Sequence, residues 1–262
     1  MGEQVERVSI TRLTEAGATR MEDVVVREHP LTIVLNDQEL VTLLCSPSHQ
    51  KELAAGFLFS EGFINSREEV RSIILNEATG VVRVQTEGDD EAAREAIFSR
   101  LITSGCGRGA SFYQATDLAN QRVESALRVP VGRILALVRE FQRRSETYRA
   151  TGGVHSAALC DTGHIIAFAE DIGRHNAVDK VFGACLLEGT PTTDRLLITS
   201  GRISSEILLK VARRAVPVLV SKSAPTSMGV KMAEALGITL VGFVRGRRVN
   251  VYTSPGRVTA TA

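Results

Sequence analysis

The stretch from residue 195 to residue 246 reads RLLITSGRISSEILLKVARRAVPVLVSKSAPTSMGVKMAEALGITLVGFVRG. Short runs dense in Val, Ile and Leu alternate here with longer segments whose apolar residues recur at helical spacing. Such short runs are typical of strands that are buried on both faces of a sheet. The alternation predicts βαβ units and therefore an α/β domain built on a mainly parallel sheet.

The residues before this stretch extend the pattern back to residue 126. VPVGRILALVREFQRRSETYRATGG (129–153) predicts one helix of about 16 to 18 residues that ends at a glycine pair. VHSAALCD (154–161) and HIIAFAED (164–171) predict two paired strands, and RHNAVDKVFGACLLEG (174–189) predicts the next helix. We therefore assign residues 126–262 to the α/β domain.

Residues 1–125 have a different character. RVSITRL (7–13) and GVVRVQTEG (80–88) alternate apolar and polar positions, as partly exposed strands do. EAAREAIFSRLI (91–102) predicts a helix. The first half is therefore predicted to be a smaller α+β domain, residues 1–125, that ends in a glycine-rich loop around Cys106.

The composition excludes several classes of protein. Apolar residues make up 44% and charged residues 23%, which is typical of a globular chain. No run approaches the roughly 18 apolar residues of a membrane span, and the N-terminus lacks the apolar region of a secretory signal. The four cysteines are far apart and form no C-x-x-C pair, which argues against a disulfide framework and predicts a cytoplasmic location.

Charge is distributed unevenly between the two halves. Residues 1–125 carry 12 basic and 20 acidic side chains, whereas residues 126–262 carry 19 and 10. Arginine supplies 26 of the 31 basic residues, and its planar fork suits phosphates and carboxylates. This pattern indicates an anionic partner such as a nucleotide or a phosphorylated cofactor, unless it reflects only a bias towards arginine. Aromatic residues, at 5%, are too few for the stacking platforms of a nucleic-acid-binding protein.

Cys106 is the cysteine whose surroundings favour a reactive thiol. It lies in TSGCGRGA (103–110), between glycines that cannot bury it and next to Arg108, whose charge favours the thiolate. The other cysteines, Cys45, Cys160 and Cys185, lie in apolar runs and are predicted to pack in the core. The alternative for Cys106 is a glycine-rich turn that happens to contain a cysteine.

Three strand-to-helix turns carry basic residues where the strands end: Arg174 and His175, then Arg202, then Lys222. Ligands bind at this edge of open α/β sheets, and helix N-termini attract anions. The sequence therefore predicts a phosphate site there. The alternatives are ordinary capping by Ser204 or Ser227 and a structural role for His175.

Other polar residues near these turns have two interpretations each. Glu170 and Asp171, which precede the first turn, could serve as an acid and a base or could pair with Arg174. FVRGRRVNVY (243–252) places three guanidiniums around a glycine turn, where they could hold a diphosphate. The alternative for that segment is a solvated hairpin.

Four strings together resemble one known family. They are TSGCG (103–107), EDIGRHNAVDKV (170–181), TSGRISSEI (199–207) and the long run from Ser221 to Thr253. The resemblance is to the formate dehydrogenase accessory sulfurtransferase family, FdhD/NarQ. It covers most of the chain and is densest over residues 151–254 and around Cys106.

The resemblance implies a fold, an activity and a set of site residues. It implies a cytidine-deaminase-like three-layer sandwich with an additional N-terminal domain, in a cytoplasmic homodimer that needs no membrane and no nucleic acid. Such proteins take sulfur from a cysteine desulfurase as a persulfide and pass it to the molybdenum cofactor, bound in its bis-guanine-dinucleotide form, during formate dehydrogenase maturation. The persulfide cysteine falls on Cys106, and the cofactor-binding string falls on Phe243, Val244, Arg245, Gly246, Arg247 and Arg248.

Two departures from related patterns keep alternatives open. Many relatives carry C-x-x-C in the loop, whereas Gly109 occupies the second position here, so Cys106 would accept and donate sulfur alone. This leaves room for a non-catalytic chaperone that only holds the cofactor. A zinc deaminase is the other alternative, but His175-Asn176-Ala177 lacks the Glu of H-x-E and the TSGRISSE turn lacks cysteine, so no zinc is expected.

Overall fold

The structure is a computed structural model that describes residues 4–87 and 122–260. Its strands are β1 (Val5–Thr14), β2 (Gly17–Val26), β3 (His29–Leu35), β4 (Gln38–Cys45), β5 (Val70–Asn76), β6 (Val81–Thr86), β7 (Val129–Pro130), β8 (His155–Cys160), β9 (Ile165–Asp171), β10 (Leu196–Thr199), β11 (Val218–Ser221), β12 (Thr239–Arg245), β13 (Arg248–Val251) and β14 (Val258–Thr259). Its α-helices are α1 (Gln50–Glu61), α2 (Val131–Arg144), α3 (Glu146–Thr151), α4 (Arg174–Glu188), α5 (Ser205–Arg213) and α6 (Ser227–Ala235). A 3₁₀ turn, Pro255–Arg257, precedes β14.

The second half is built on a six-stranded sheet with the order β13-β12-β11-β10-β8-β9. The prediction of an α/β fold is confirmed, but the prediction of a mainly parallel sheet is wrong. Only β10–β11 and β11–β12 are parallel pairs in this sheet. β8 pairs antiparallel with both of its neighbours, and β13 returns antiparallel on β12. The reason is that β8–β9 and β12–β13 are hairpins, whose short turns force the chain to reverse.

Helices cover both faces of this sheet, which gives three layers. Side chains on one face join those of α1, α4, α5 and α6 in one hydrophobic core. Side chains on the opposite face pack on α2 through Ile134, Leu137 and Phe141 in a second core. Consecutive residues of β10 illustrate the alternation, since Leu197 belongs to the first core and Ile198 to the second. The likeness to cytidine deaminases stays a prediction.

The helix predicted to run without interruption up to Gly152 is instead two helices that break at Ser145. The Ser145 hydroxyl donates to the Phe141 carbonyl at 3.0 Å and lies 2.9 Å from the Ser156 hydroxyl. The Glu170 carboxylate then accepts hydrogen bonds from the backbone N–H groups of Thr147 and Tyr148. This acidic cap stabilises the new N-terminus of α3.

The first half contains a four-stranded sheet with the order β4-β3-β6-β5, and α1 packs on it. A separate antiparallel ribbon, β1–β2, precedes this sheet. The core of the four-stranded sheet is continuous with the first core of the second half. Residues 122–125 also contact the second half, since Val123 donates its N–H to the Leu236 carbonyl. The domain boundary after Ser125 stays a prediction.

Helices α1 and α4, one from each half of the chain, cross so closely that their backbones are in contact. A Cβ at Gly56 would overlap the carbonyl oxygen of Asp179, and a Cβ at Gly183 would overlap that of Glu52. Only glycine therefore fits at both crossing positions. Close approach of this kind lets the surrounding apolar side chains pack at the density of a protein interior.

Three buried ion pairs, made by two lysines, hold the same junction. Lys210 of α5 lies 2.8 Å from the carboxylates of both Asp179 and Glu61, and its ammonium is fully enclosed by them and by the core. Burial alone would lower the pKa of Lys210, but the two carboxylates outweigh burial and raise it, so the lysine stays charged. Lys180 lies 2.6 Å from Asp171 and donates to the Ser46 hydroxyl at 3.0 Å. Each lysine thus connects the first half to the second.

No helix within the described ranges combines the length and the apolar character that a membrane crossing requires.

The glycine contact can be tested by substitution. Gly56→Ala should lower the free energy of unfolding by about 1–3 kcal/mol or more, because α1 and α4 must separate to admit the methyl group. Gly132→Ala is the matched control, since a Cβ at this helical position meets nothing within 4 Å. It should raise stability by about 0.5–1 kcal/mol. Urea unfolding of both variants measures the difference, and equal stability of the two would contradict the contact.

Candidate functional site

The predicted phosphate site lies at one edge of the six-stranded sheet. β9, β10, β11 and β12 all run in the same direction, so their carboxyl ends meet at this edge. Helices α4, α5 and α6 begin there, and β8 starts there with His155. The N-termini of three helices therefore lie at one edge, and their positive dipole ends favour anions there.

Backbone hydrogen bonds fix the loops along this edge. The loop after β10 and the loop after β11 are joined where Ile203 N–H donates to the Ala224 carbonyl and Thr226 N–H donates to the Ile203 carbonyl. The Ser221 hydroxyl donates to the Gly201 carbonyl at 2.7 Å. Phe243 N–H donates to the Ser223 carbonyl, and this hydrogen bond connects β12 to the loop after β11. The edge is therefore shaped in advance rather than left to flexible loops.

Four basic side chains define what we call the cationic edge: Arg174, Arg202, Lys222 and Arg245. None of the four lies within 4.0 Å of a carboxylate oxygen of the described residues. Burial lowers the pKa of Lys222, and the nearby charge of Arg245 lowers it further. Four cations without an acidic partner repel one another, and a bound anion would relieve that repulsion.

Residues 243–248, the predicted cofactor-binding segment, lie at the end of the cationic edge formed by β12 and the turn that follows it. A bulge between Gly242 and Arg245 interrupts the β12–β13 ladder and leaves Phe243 with a φ of +49°. This left-handed conformation is costly for a bulky residue and is often kept at functional sites. Val244 points into the core, while the segment from Arg245 to Arg248 is exposed.

Charge and turn geometry in this hairpin also fit an anion site. Arg245 pairs directly with Arg248 across the strands, and like charges in that position are destabilising. Gly246 has a φ of +59° at the first position of the two-residue turn, which glycine adopts without strain. The Arg245 guanidinium lies 5.4 Å from the centroid of the Phe243 ring. The hairpin thus presents an aromatic ring beside guanidiniums that form no ion pair with the described carboxylates.

Several buried polar atoms at this edge have no hydrogen-bond partner in the described part of the chain. They are Arg174 Nε, His175 Nε2 and Ser204 Oγ. Capping by Ser204 or Ser227, the alternative interpretation of these turns, does not occur, because α5 has no side-chain cap bond and α6 is capped by Thr226. Unsatisfied buried polar groups are costly, and a ligand is one way to satisfy them.

His155 belongs to this edge although the sequence interpretation missed it. Its Nδ1 lies 3.3 Å from the Ser200 hydroxyl, which also accepts a hydrogen bond from the backbone N–H of Ser156. Burial lowers the pKa of His155, and the guanidiniums of Arg174 and Arg202 lower it further. No local sequence signal marks this residue, because its neighbours come from β10 and α4 rather than from its own strand.

His175 is packed between helices. Its Nε2 lies 3.1 Å from a carboxylate oxygen of Glu206 on α5, without the geometry of a hydrogen bond. Burial lowers the pKa of His175 to about 3, and the charges of Lys210 and Arg174 contribute. The imidazole is therefore neutral at physiological pH, and its contact with Glu206 is not an ion pair.

Glu170 and Asp171 are used structurally rather than as an acid and base pair. Glu170 caps α3, as described above. Asp171 pairs with Lys180 and accepts hydrogen bonds from Ser46, Gly173 and Asn176, with its side chain fully buried. Neither carboxylate lies within ion-pair distance of Arg174. Both carboxylate oxygens of Asp171 are thus already hydrogen-bonded within the protein.

The predicted core cysteines are confirmed as buried thiols. Cys45, Cys160 and Cys185 are at most 1% exposed. Burial raises the pKa of each thiol to about 12, so each stays protonated and a poor nucleophile at neutral pH. Cys106 and the predicted helix at 91–102 lie outside the described residues.

The family model of the FdhD/NarQ family matches residues 26–259 of the chain. A curated relative from Bacillus subtilis, named sulfur carrier protein FdhD, is 43% identical over 260 residues, which cover 98% of this chain and 99% of the relative. A protein of the same name from Listeria innocua is 43% identical over 258 residues, which cover 97% and 99%.

A solved structure is also similar over nearly the whole chain. It is the crystal structure of a candidate formate dehydrogenase accessory protein from Desulfotalea psychrophila. The two chains align with a TM-score of 0.81 and 28% identity, covering 98% of this chain and 100% of the other. The shared architecture therefore includes both halves of the molecule.

The neutral state of His175 predicts a specific pH dependence of stability. Its pKa is lower in the folded chain than in the unfolded chain, so stability is complete above about pH 6.5 and is lost as the pH falls towards 3. Between pH 7 and pH 5 this one group should remove about 2 kcal/mol. His175→Gln should flatten that part of the curve in urea unfolding. His164→Asn, at an exposed side chain, is the control, and a His175 variant as pH-dependent as this control would contradict the assignment.

Proposed function

The chain belongs to the FdhD/NarQ family, and we propose that it is a sulfurtransferase that matures formate dehydrogenase. In this proposal Cys106 accepts sulfur from a cysteine desulfurase as a persulfide. The sulfur then passes to the molybdenum cofactor, which the protein holds in its bis-guanine-dinucleotide form. The observation that carries the proposal is the cationic edge, where four basic side chains without acidic partners among the described residues meet three helix N-termini.

The thiol chemistry supports Cys106 as the acceptor by elimination. The other cysteines are enclosed by hydrocarbon and keep their protons at neutral pH. Persulfide transfer needs a thiolate that attacks the terminal sulfur of the donor, which breaks the donor S–S bond and releases the desulfurase cysteine as a thiolate. Arg108, next to Cys106 in sequence, favours the anionic form of both the thiol and the persulfide.

The cationic edge supports binding of the cofactor through its phosphates. Arg245, Arg247 and Arg248 offer forked donors to a diphosphate, and Phe243 offers a ring beside them. Arg174, Arg202 and Lys222 extend the same charge along the sheet edge. The cofactor is the acceptor substrate of the transfer, so binding here would hold its metal for delivery of sulfur from Cys106.

The remaining parts of the proposal follow from the family. The partners are a cysteine desulfurase and formate dehydrogenase, and the protein acts as a homodimer in the cytoplasm. The layer order of α2, the six-stranded sheet and α4–α6 supports a cytidine-deaminase-like fold. The second candidate function, a chaperone that only holds the cofactor, is favoured by Gly109, which removes the second loop cysteine.

Persulfide formation is the first test. Incubation with a cysteine desulfurase and free cysteine should add the mass of one sulfur atom to the peptide that contains Cys106. Mass spectrometry after alkylation locates the modification. A variant in which Cys45, Cys160 and Cys185 are alanine is the control and should be modified to the same extent. Sulfur found only on those three cysteines would overturn the assignment.

Nucleotide binding is the second test. Replacing Arg245, Arg247 and Arg248 with glutamine should weaken binding of guanosine diphosphate at least about tenfold in calorimetry, because charge-assisted hydrogen bonds are lost. The matched control replaces Arg133, Arg139 and Arg143, exposed on α2, and should bind as the wild type does. Equal affinity of the two triple variants would contradict a phosphate site at the hairpin.

Complementation separates the two candidate functions. Cells that lack the endogenous protein should recover formate dehydrogenase activity with the wild-type chain and not with Cys106→Ala. A Cys106→Ala chain that restores full activity would favour the chaperone.

A further inference from the structure

We propose that His155 is a phosphate-binding residue of the cationic edge, and that it takes up a proton from solvent when the phosphate binds beside Arg174 and Arg202. The inference rests on the proposed function, because it assigns a further residue to the same nucleotide site. The ligand class is a phosphate monoester or a diphosphate.

The position of His155 brings it to the site. It is the first residue of β8, which pairs antiparallel with both of its neighbours, and it lies opposite Asp171, the last residue of β9. The neighbouring strand on the other side is β10, whose following loop contains Ser200 and Arg202. The imidazole of His155 therefore lies at the edge of the sheet where α4 and α5 begin.

Ser200 holds the imidazole in place. The Ser200 hydroxyl oxygen accepts a hydrogen bond from Ser156 N–H at 2.9 Å and lies 3.3 Å from His155 Nδ1. The backbone of Ser200 donates in turn to the Ser156 carbonyl at 3.0 Å. Because this contact occupies Nδ1, a phosphate would bind the imidazole through its second ring nitrogen, Nε2.

The charged and titratable groups around His155 lie on α4, on β9 and in the loop before α5, and His175 of α4 is a neutral member of this set. Arg174 belongs to α4 and Arg202 to the loop before α5, and both disfavour a further positive charge. Asp171 of β9 acts in the opposite direction, but it is neutralised by Lys180. Without a ligand His155 is therefore neutral. A phosphate between the two guanidiniums reverses the local charge, so the imidazole gains a proton and donates a charge-assisted hydrogen bond.

Two further observations indicate a ligand rather than a purely structural histidine. Arg174 Nε and Ser204 Oγ are buried without hydrogen-bond partners in the described chain, one at the start of α4 and the other at the start of α5. The Arg174 side chain also lies across Gly201, where a Cβ would come within 2.9 Å of it. Glycine at this position lets the aliphatic stem of Arg174 pack against the loop backbone, which holds the side chain at the sheet edge.

Calorimetry with guanosine diphosphate tests the inference. Titrations at about pH 7.5, in two buffers with different ionisation enthalpies, report the number of protons that binding takes up. The wild-type chain should take up a measurable fraction of a proton. His155→Asn keeps a polar atom near Ser200 but cannot gain a proton, so uptake should disappear and affinity should fall about tenfold or more. His164→Asn, at an exposed side chain, is the control and should match the wild type.

Pyrophosphate is the second probe, and it separates this inference from the proposed function. Proton uptake with pyrophosphate but no binding of guanosine diphosphate would support His155 and overturn the nucleotide site. Binding of either probe with the same net proton exchange in the wild type and in His155→Asn would overturn the inference. If His155→Asn does not fold, the nuclear magnetic resonance titration of the wild-type imidazole replaces it. A His155 pKa that rises on pyrophosphate binding supports the inference, and an unchanged pKa contradicts it.

Discussion

The backbone contact between α1 and α4 is the constraint on which the rest of the structure depends. Gly56 and Gly183 let the two helices approach until no side chain fits between them. This approach places Asp179 and Glu61 around Lys210, and Ser46 against Lys180. Removing one partner from a buried pair costs about 3–5 kcal/mol, so the helix crossing and the charges stabilise each other. The start of α4, with Arg174 and His175, is positioned by this arrangement.

The same arrangement explains how unfavourable charge can be kept at the sheet edge. Arg174, Arg202, Lys222 and Arg245 lack acidic partners in the described chain, and Arg245 faces Arg248 across a strand pair. Such repulsion destabilises an isolated protein. A rigid core can hold these groups in place because its stability comes from elsewhere. An anion that binds there gains interactions without the cost of ordering the loops.

Some of this arrangement could be predicted from the sequence, and some could not. Alternating apolar runs predicted the helices and strands of residues 154–253. The apolar residues around Cys45, Cys160 and Cys185 predicted that these three cysteines are buried. The prediction of a mainly parallel sheet was wrong, because the two paired strands β8 and β9 belong to the same sheet and add antiparallel pairs to it, and the sequence does not show which strands share a sheet. The break at Ser145 was missed because it depends on Ser156 and Glu170, which are distant in sequence. His155 was missed for the same reason, since its partner Ser200 is reached only through strand pairing.

The measurement that tests the central claim most directly is a crystal structure of the chain with guanosine diphosphate bound. The account predicts that the phosphates lie at the sheet edge, within hydrogen-bond distance of the N-termini of α4, α5 or α6 and of at least two of the four cations. Guanosine diphosphate bound elsewhere on the molecule, with this edge empty, would contradict it.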